Sequence, residues 1–197
     1  MQRICHIQGE VKDYLAQPDC LVNQETRKCP FCDQRDHDHA LWLHAWYWRW
    51  ALFPDPQEPY KLPIRRLYCP HVRRTVSLLP DFCIPRRQHG PAILAIFLQL
   101  LVAGKGLLHG LRKARANAPC HAVAQSLRDG FLRRAVNIRA YLARRHRRVI
   151  EPPDKVPKDR RHLAELYLGL VAGFNCPQAA FIFHNACFHQ SFREPLA

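Results

Sequence analysis

Two cysteines separated by two residues form the spacing in this chain that points most directly to chemistry. Cys29 and Cys32 flank a Pro-Phe pair, and two thiolates at this spacing can hold one Zn²⁺ while the backbone between them forms a tight knuckle. A zinc ribbon needs a second knuckle some tens of residues later, where this chain has Cys69 and, two residues on, His71. We therefore predict a Zn²⁺ site with these four residues as ligands.

The sequence does not determine which residue is the fourth ligand of this site. A usual second knuckle repeats Cys-x-x-Cys, but the corresponding position holds Val72. His71 is one candidate, and His37, His39 and His44 are others that could reach in from the first loop. Two interpretations without a structural metal also remain. One is a decayed knuckle that binds no metal. The other is a redox thiol pair, which is disfavoured because no βαβ pattern surrounds the cysteines.

Positive charge is concentrated in the middle of the chain. The 197 residues contain 30 Lys and Arg against 16 Asp and Glu, a formal net charge of +14. Residues 105–161 hold sixteen of these cations and four acids, which accounts for +12, and twelve of the sixteen are Arg. Guanidinium groups pair well with phosphate. The balance favours a polyanionic partner, with a merely solvated basic surface as the alternative.

Signals for membrane insertion or export are not expected. No stretch reaches the roughly 18 apolar residues of a membrane span, and the first ten residues contain no apolar segment of a secretory signal. The nine cysteines follow no dense disulfide pattern. We therefore expect a cytoplasmic, nucleoid-associated protein with reduced thiols and no membrane partner.

Local sequence patterns divide the chain into a β part and an α part. A short helix is expected at 11–16. Runs rich in aromatic and β-branched residues predict strands, at 3–7, 46–52, 64–69 and 74–79. From Pro91 onward, apolar residues recur every three or four positions and predict helices, at 91–103, 107–115, 121–128, 131–149, 161–174 and 177–189. A break or bend is expected at Gly130.

The helices at 107–115 and 121–128, with a short turn between them, have the proportions of a helix-turn-helix. Ala122, Val123 and Leu127 would hold the second helix against the first. Gln and Arg side chains on its outer face can contact adenine and guanine edges in a major groove. The predicted nucleic-acid-binding residues are His121, Gln125, Arg128, Arg133, Arg134, Arg144, Arg145, Arg147 and Arg148. A three-helix bundle with a basic surface is the alternative.

The predicted fold class is α+β. A small N-terminal zinc-ribbon-like β module precedes a mainly α-helical region with a helix-turn-helix. The predicted domains are a zinc-ribbon-like module at 1–85, a helix-turn-helix DNA-binding region at 91–150 and a C-terminal helical hairpin at 159–197.

Several short stretches also fit one known pattern. They are Cys29-x-x-Cys32, the aromatic run at 46–51, Tyr68-Cys69-Pro70 and the segment 74–82. Together they resemble a bacterial family of transposase-like proteins that begin with a zinc ribbon and continue into a helix-turn-helix. The resemblance covers roughly residues 1–150. It implies a ribbon ligand at position 72, where this chain has Val72, and a role in DNA binding in or near an insertion sequence.

A catalytic centre within the chain is not expected. A transposase of the RNase H type needs three carboxylates that hold two Mg²⁺, and only six acids follow residue 91. We predict a DNA-binding protein associated with a mobile element, whose partners are DNA and either a transposase or a second copy of the chain. Two alternatives stay open: a catalytic transposase component that completes its active site with a partner, and an RNA-binding zinc-ribbon protein.

Overall fold

The computed structural model describes residues 1–7, 9–32, 39–54, 59–114, 120–146 and 158–192. Within these ranges the fold is α+β, as predicted, with one four-stranded sheet and a set of helices that follows it. The elements are β1 (Gln2–Cys5), α1 (Val11–Ala16), a 3₁₀ turn (Pro18–Leu21), α2 (Gln24–Arg27), β2 (Trp42–Ala51), β3 (Tyr60–Cys69), β4 (Arg74–Pro80), α3 (Pro91–Val102), α4 (Leu107–Ala114), α5 (His121–Arg133), α6 (Ala135–His146), α7 (Lys158–Val171) and α8 (Pro177–Phe192).

The sheet has the strand order β1-β4-β3-β2. β2, β3 and β4 form an antiparallel meander, and β1 adds to β4 in parallel. A parallel neighbour requires a crossover connection, and here the crossover contains both the loop with Cys29 and Cys32 and the β2–β3 hairpin. Residues opposite one another lie on the same face of a sheet, so the register aligns Gln2, Ser77 and Arg66 on one face.

A break or bend was predicted at Gly130, and the break does not occur there. α5 continues through Gly130 to Arg133, and α6 begins at Ala135. A glycine inside a helix costs only about 1 kcal/mol, and the burial of Leu127 and Phe131 on either side of Gly130 outweighs it. None of the helices in the described ranges is both long enough and apolar enough to cross a membrane.

Two apolar clusters form the core. One lies at the sheet, around Leu62, Leu67 and Leu78. The other joins the helices and includes the whole stripe predicted for the segment after Gly130, namely Phe131, Ala135, Ile138 and Leu142. The two clusters are linked by α8, since Ile182 packs against the sheet cluster while Phe181 belongs to the helical one.

A buried amide also links α8 to the segment that follows β4. Asn185 Nδ2 donates to the carbonyl oxygens of Asp81 at 2.7 Å and Cys83 at 3.0 Å. The three predicted segments therefore contact one another through α8, and their division into domains stays a prediction.

Candidate metal centre

Three of the candidate ligands belong to one loop that is closed at its base. Lys28 and Ala40 pair as an antiparallel bridge, which brings the two ends of the loop together. Cys29 and Cys32 lie at the beginning of this loop, and His39 lies at its end. The bridge therefore places a histidine beside the Cys-x-x-Cys knuckle even though the intervening chain is long.

The remaining ligand comes from the turn between β3 and β4. Cys69 is the last residue of β3 and is fully buried. The turn that follows contains Arg73, whose φ of 51° lies in the left-handed region that tight turns use. The backbone N–H of Val72 donates to the Cys69 sulfur. Val72 thus supports the site through its backbone, at the position where the resemblance implied a cysteine ligand.

The four side chains are spaced as ligands of one metal ion. The candidate ligand atoms of Cys29, Cys32, His39 and Cys69 all lie within 4.8 Å of one another. The Sγ atoms of Cys32 and Cys69 are 3.6 Å apart, and His39 Nε2 lies 3.3 Å from Cys69 Sγ and 4.0 Å from Cys32 Sγ. A tetrahedron with metal–sulfur bonds of about 2.3 Å has edges of roughly 3.8 Å. The group could therefore hold a metal ion with little rearrangement.

The pKa values of two thiols in this group are shifted in opposite directions. Burial alone would raise the pKa of Cys69, but hydrogen bonds from the Val72 backbone and from the His39, Cys29 and Cys32 side chains outweigh it and lower the pKa to about 6. Burial and the hydrogen bond with Cys69 raise the pKa of Cys32 to about 12. At neutral pH the cluster therefore has a thiolate at Cys69, the form that binds a metal.

The structure brings together three of the four predicted metal ligands and replaces the fourth. The fourth member of the ligand group is His39, which was one of the alternatives, and not the predicted His71. His71 is exposed on the β3–β4 turn, and the centroid of its ring lies 4.4 Å from that of His39. His44 lies against the ring of Tyr68 instead, and His37 falls outside the described residues. His39 reaches the thiols because the Lys28–Ala40 bridge closes the loop. No local sequence pattern encodes that closure.

The predicted DNA-reading residues of α5 are partly exposed. His121 and Gln125 are exposed, whereas Arg128 is half-buried and donates to Asp129 at 2.8 Å. Ala122 was expected to pack inward, but it is exposed and Ala124 is buried in its place. α4 and α5 contact each other. The turn between them lies outside the described residues, so the helix-turn-helix stays a prediction.

The predicted phosphate-binding arginines that the structure describes differ in their surroundings. Arg133, Arg144 and Arg145 are exposed. The Arg145 guanidinium lies 4.6 Å from the ring centroid of Phe183 on α8. Arg134 lies between α5 and α6 and donates to the backbone. The remaining two predicted residues, Arg147 and Arg148, fall outside the described ranges.

Comparisons of the chain with protein-family models, with curated proteins and with solved structures find no match. The resemblance to transposase-like proteins is therefore carried by short motifs alone. What the arrangement can do chemically follows from its donor atoms and its charges.

Proposed function

We propose that the chain is a DNA-binding protein of the transposase-like kind. Zn²⁺ holds its β module together, and its basic helices α4–α6 contact the phosphate backbone. The observation that supports this most strongly is the density of exposed cations on these helices and their connections. They are Lys105, Arg112, Lys113, Arg133, Arg139, Arg144 and Arg145.

Along the sequence, few acids accompany these cations. Asp129 is the one acid in the sequence between residues 105 and 146, and it already pairs with Arg128. Arg139 is paired with Glu165 of α7. The other exposed cations create a positive potential that attracts a polyanion and is screened by salt. This is the electrostatic pattern of a protein that binds phosphate backbone.

The donor set favours zinc. Three thiolates and one imidazole suit Zn²⁺ better than Mg²⁺ or Ca²⁺, which prefer oxygen ligands. Four protein ligands leave no open position for substrate, so the ion would be structural. Bound there, Zn²⁺ contributes folding free energy by joining the 28–40 loop to the β3–β4 turn.

The side chains on α5 favour duplex DNA over duplex RNA as the proposed partner. His121 and Gln125 are exposed near the N-terminus of this helix, the part of a recognition helix that contacts base edges. The major groove of B-form DNA admits a helix, whereas that of A-form RNA is too deep and narrow.

The test is DNA affinity as a function of salt and sequence. With roughly five phosphate contacts, log Kd should change with log salt with a slope of about 4 to 5. Arg133→Ala and Arg144→Ala should weaken binding to all sequences alike. Gln125→Ala should cost about 1–3 kcal/mol on a site selected from random duplexes and little on random DNA. Lys12→Ala, an exposed charge removal on α1, is the control. Affinity that is flat from low to physiological salt would refute the proposal.

Association with a mobile element rests on the resemblance. Inverted repeats or a transposase gene beside the coding sequence would support it. Competition between duplex DNA and structured RNA separates the proposal from the RNA-binding alternative. Cleavage of DNA by the purified chain with Mg²⁺ would support the catalytic alternative instead.

A further inference from the structure

A basic cleft of about 790 Å³ opens between one face of the sheet and the helices. Four arginines from three parts of the chain line it, namely Arg66, Arg86, Arg87 and Arg134. Arg66 lies on β3, Arg86 and Arg87 lie between β4 and α3, and Arg134 lies between α5 and α6. Among the described residues that line the cleft, none is an acid. We refer to this feature as the arginine cleft.

The sheet supplies a polar floor for the arginine cleft. Ser77 pairs with Arg66 on one side and with Gln2 on the other, so all three side chains lie on the same face. Thr75, two residues before Ser77, lies on that face as well and also lines the cleft. Hydroxyl and amide groups beside guanidinium groups can donate hydrogen bonds to an anion.

The segment that carries Arg86 and Arg87 is held in place by other side chains. Arg49 of β2 donates to the backbone carbonyls of Ile84 and Arg87. Arg87 itself donates to Ser126 of α5, at 3.0 Å to Oγ and 3.2 Å to the carbonyl. These contacts fix the segment from both sides, so the cleft is organised before any ligand arrives.

The backbone of Arg86 is also unusual. Its φ is 60°, a left-handed conformation that is disfavoured for any residue with a Cβ. Such conformations concentrate at ligand sites, where the surrounding structure holds them.

The described residues that line the cleft contribute four guanidinium groups and no carboxylate. Burial, and after it the charges of Arg134 and Arg133, lowers the pKa of Arg87 below its usual value. Arginine nevertheless stays protonated at neutral pH. Like charges held together repel one another, and an anion between them would relieve that repulsion.

We propose that the arginine cleft binds a phosphate group. A tetrahedral phosphate offers acceptor oxygens in several directions, which matches guanidinium groups that come from three different parts of the fold. In the DNA complex this group is a backbone phosphate, a statement that rests on the proposed function. A free phosphate compound is the other source of the same chemistry.

The test compares two matched substitutions. Arg86→Gly removes a cleft charge at a left-handed position that glycine adopts without strain. Arg73→Gly removes the same charge at the other left-handed arginine in the described residues, which is exposed on the β3–β4 turn and does not line the cleft. Arg66→Gln provides a second cleft variant if Arg86→Gly fails to fold, as judged by circular dichroism.

Two measurements are made on each protein: duplex DNA affinity against salt, and thermal stabilisation by inorganic phosphate. We expect Arg86→Gly to weaken DNA binding about 10-fold and to lower the salt slope by about one. Arg73→Gly should change affinity less than about twofold. Inorganic phosphate should raise the Tm of the wild type and of Arg73→Gly more than that of Arg86→Gly.

The outcomes separate this inference from the proposed function. If the wild type binds DNA and the cleft variants bind as tightly, with no difference in phosphate stabilisation, the inference fails and the proposed function stands. If the wild type does not bind DNA but phosphate stabilises it through the cleft, the proposed function fails and the cleft serves a free phosphate compound. If neither DNA nor phosphate binds, both are overturned.

Discussion

Replacement of His39 by alanine should lower zinc affinity far more than replacement of the nearby His71. His39 Nε2 lies 3.3 Å from Cys69 Sγ and belongs to the four-residue group, whereas His71 does not. Structural zinc sites contribute about 10–16 kcal/mol. Divided over four ligands, this amounts to about 2.5–4 kcal/mol for the imidazole. We therefore expect His39→Ala to lower zinc affinity about 100- to 1,000-fold.

His71→Ala is a closely matched control because it removes the same side chain within 4.4 Å, between ring centroids, of the first. It should lower zinc affinity less than about threefold. Affinity is measured by competition with a chelator of known strength. Substitution with Co²⁺ adds a direct view of the coordination, because its absorption spectrum reports a tetrahedral site with three sulfur ligands and one nitrogen ligand.

Two results would contradict this reasoning. If His71→Ala releases the metal and His39→Ala retains it, the ligand is the one predicted from the sequence. If the wild-type protein binds no metal while its β module stays folded, the four side chains form only a hydrogen-bonded cluster.

Three further predictions concern stability and are measured by urea unfolding. Arg139 lowers the pKa of Glu165 by hydrogen bonding, so the stability from this pair is present above the ordinary pKa of the carboxyl and is lost as pH falls through its lowered value. Glu165→Gln should cost about 0.5–1 kcal/mol at pH 7 and progressively less as the pH falls below the ordinary pKa of the carboxyl; a loss that does not change with pH would exclude the ion pair. Gly90→Ala should cost about 1–3 kcal/mol, because a Cβ would lie 2.7 Å from a backbone oxygen, whereas Gly106→Ala, with no atom within 4 Å, should be neutral; equal effects would argue against the clash. Asn185→Ala should cost about 2–3 kcal/mol, because two buried carbonyls lose their donor, and a loss below about 0.5 kcal/mol would show that water replaces the amide.

Much of the secondary structure follows from the sequence because its cause is local. Each predicted strand overlaps an observed one, and the helix predicted at 11–16 has the observed bounds. Pro91 begins α3, and the apolar stripe from Phe131 to Leu142 is buried. These features depend on propensity and periodicity over a few residues, so neighbours along the chain suffice to specify them.

The sequence by itself also determined that Cys29, Cys32 and Cys69 belong together, since a knuckle is a local motif and its partner occurs at a characteristic distance. The choice of His39 over His71 was decided by tertiary structure. His71 is closer to Cys69 along the chain, but the Lys28–Ala40 bridge brings the far end of the loop to the thiols. A bridge between distant residues depends on the packing of the whole sheet.

The arginine cleft was likewise decided by tertiary structure alone. Arg66, Arg86 and Arg87 lie outside the basic segment at 105–161, and no local pattern distinguishes them from other surface cations. They meet Arg134 because the fold brings β3, the segment between β4 and α3 and the junction of α5 and α6 to the same cleft. Charge composition along the chain indicated a polyanionic partner, but the place where charges from separate segments converge is set by long-range contacts, which sequence periodicity does not encode.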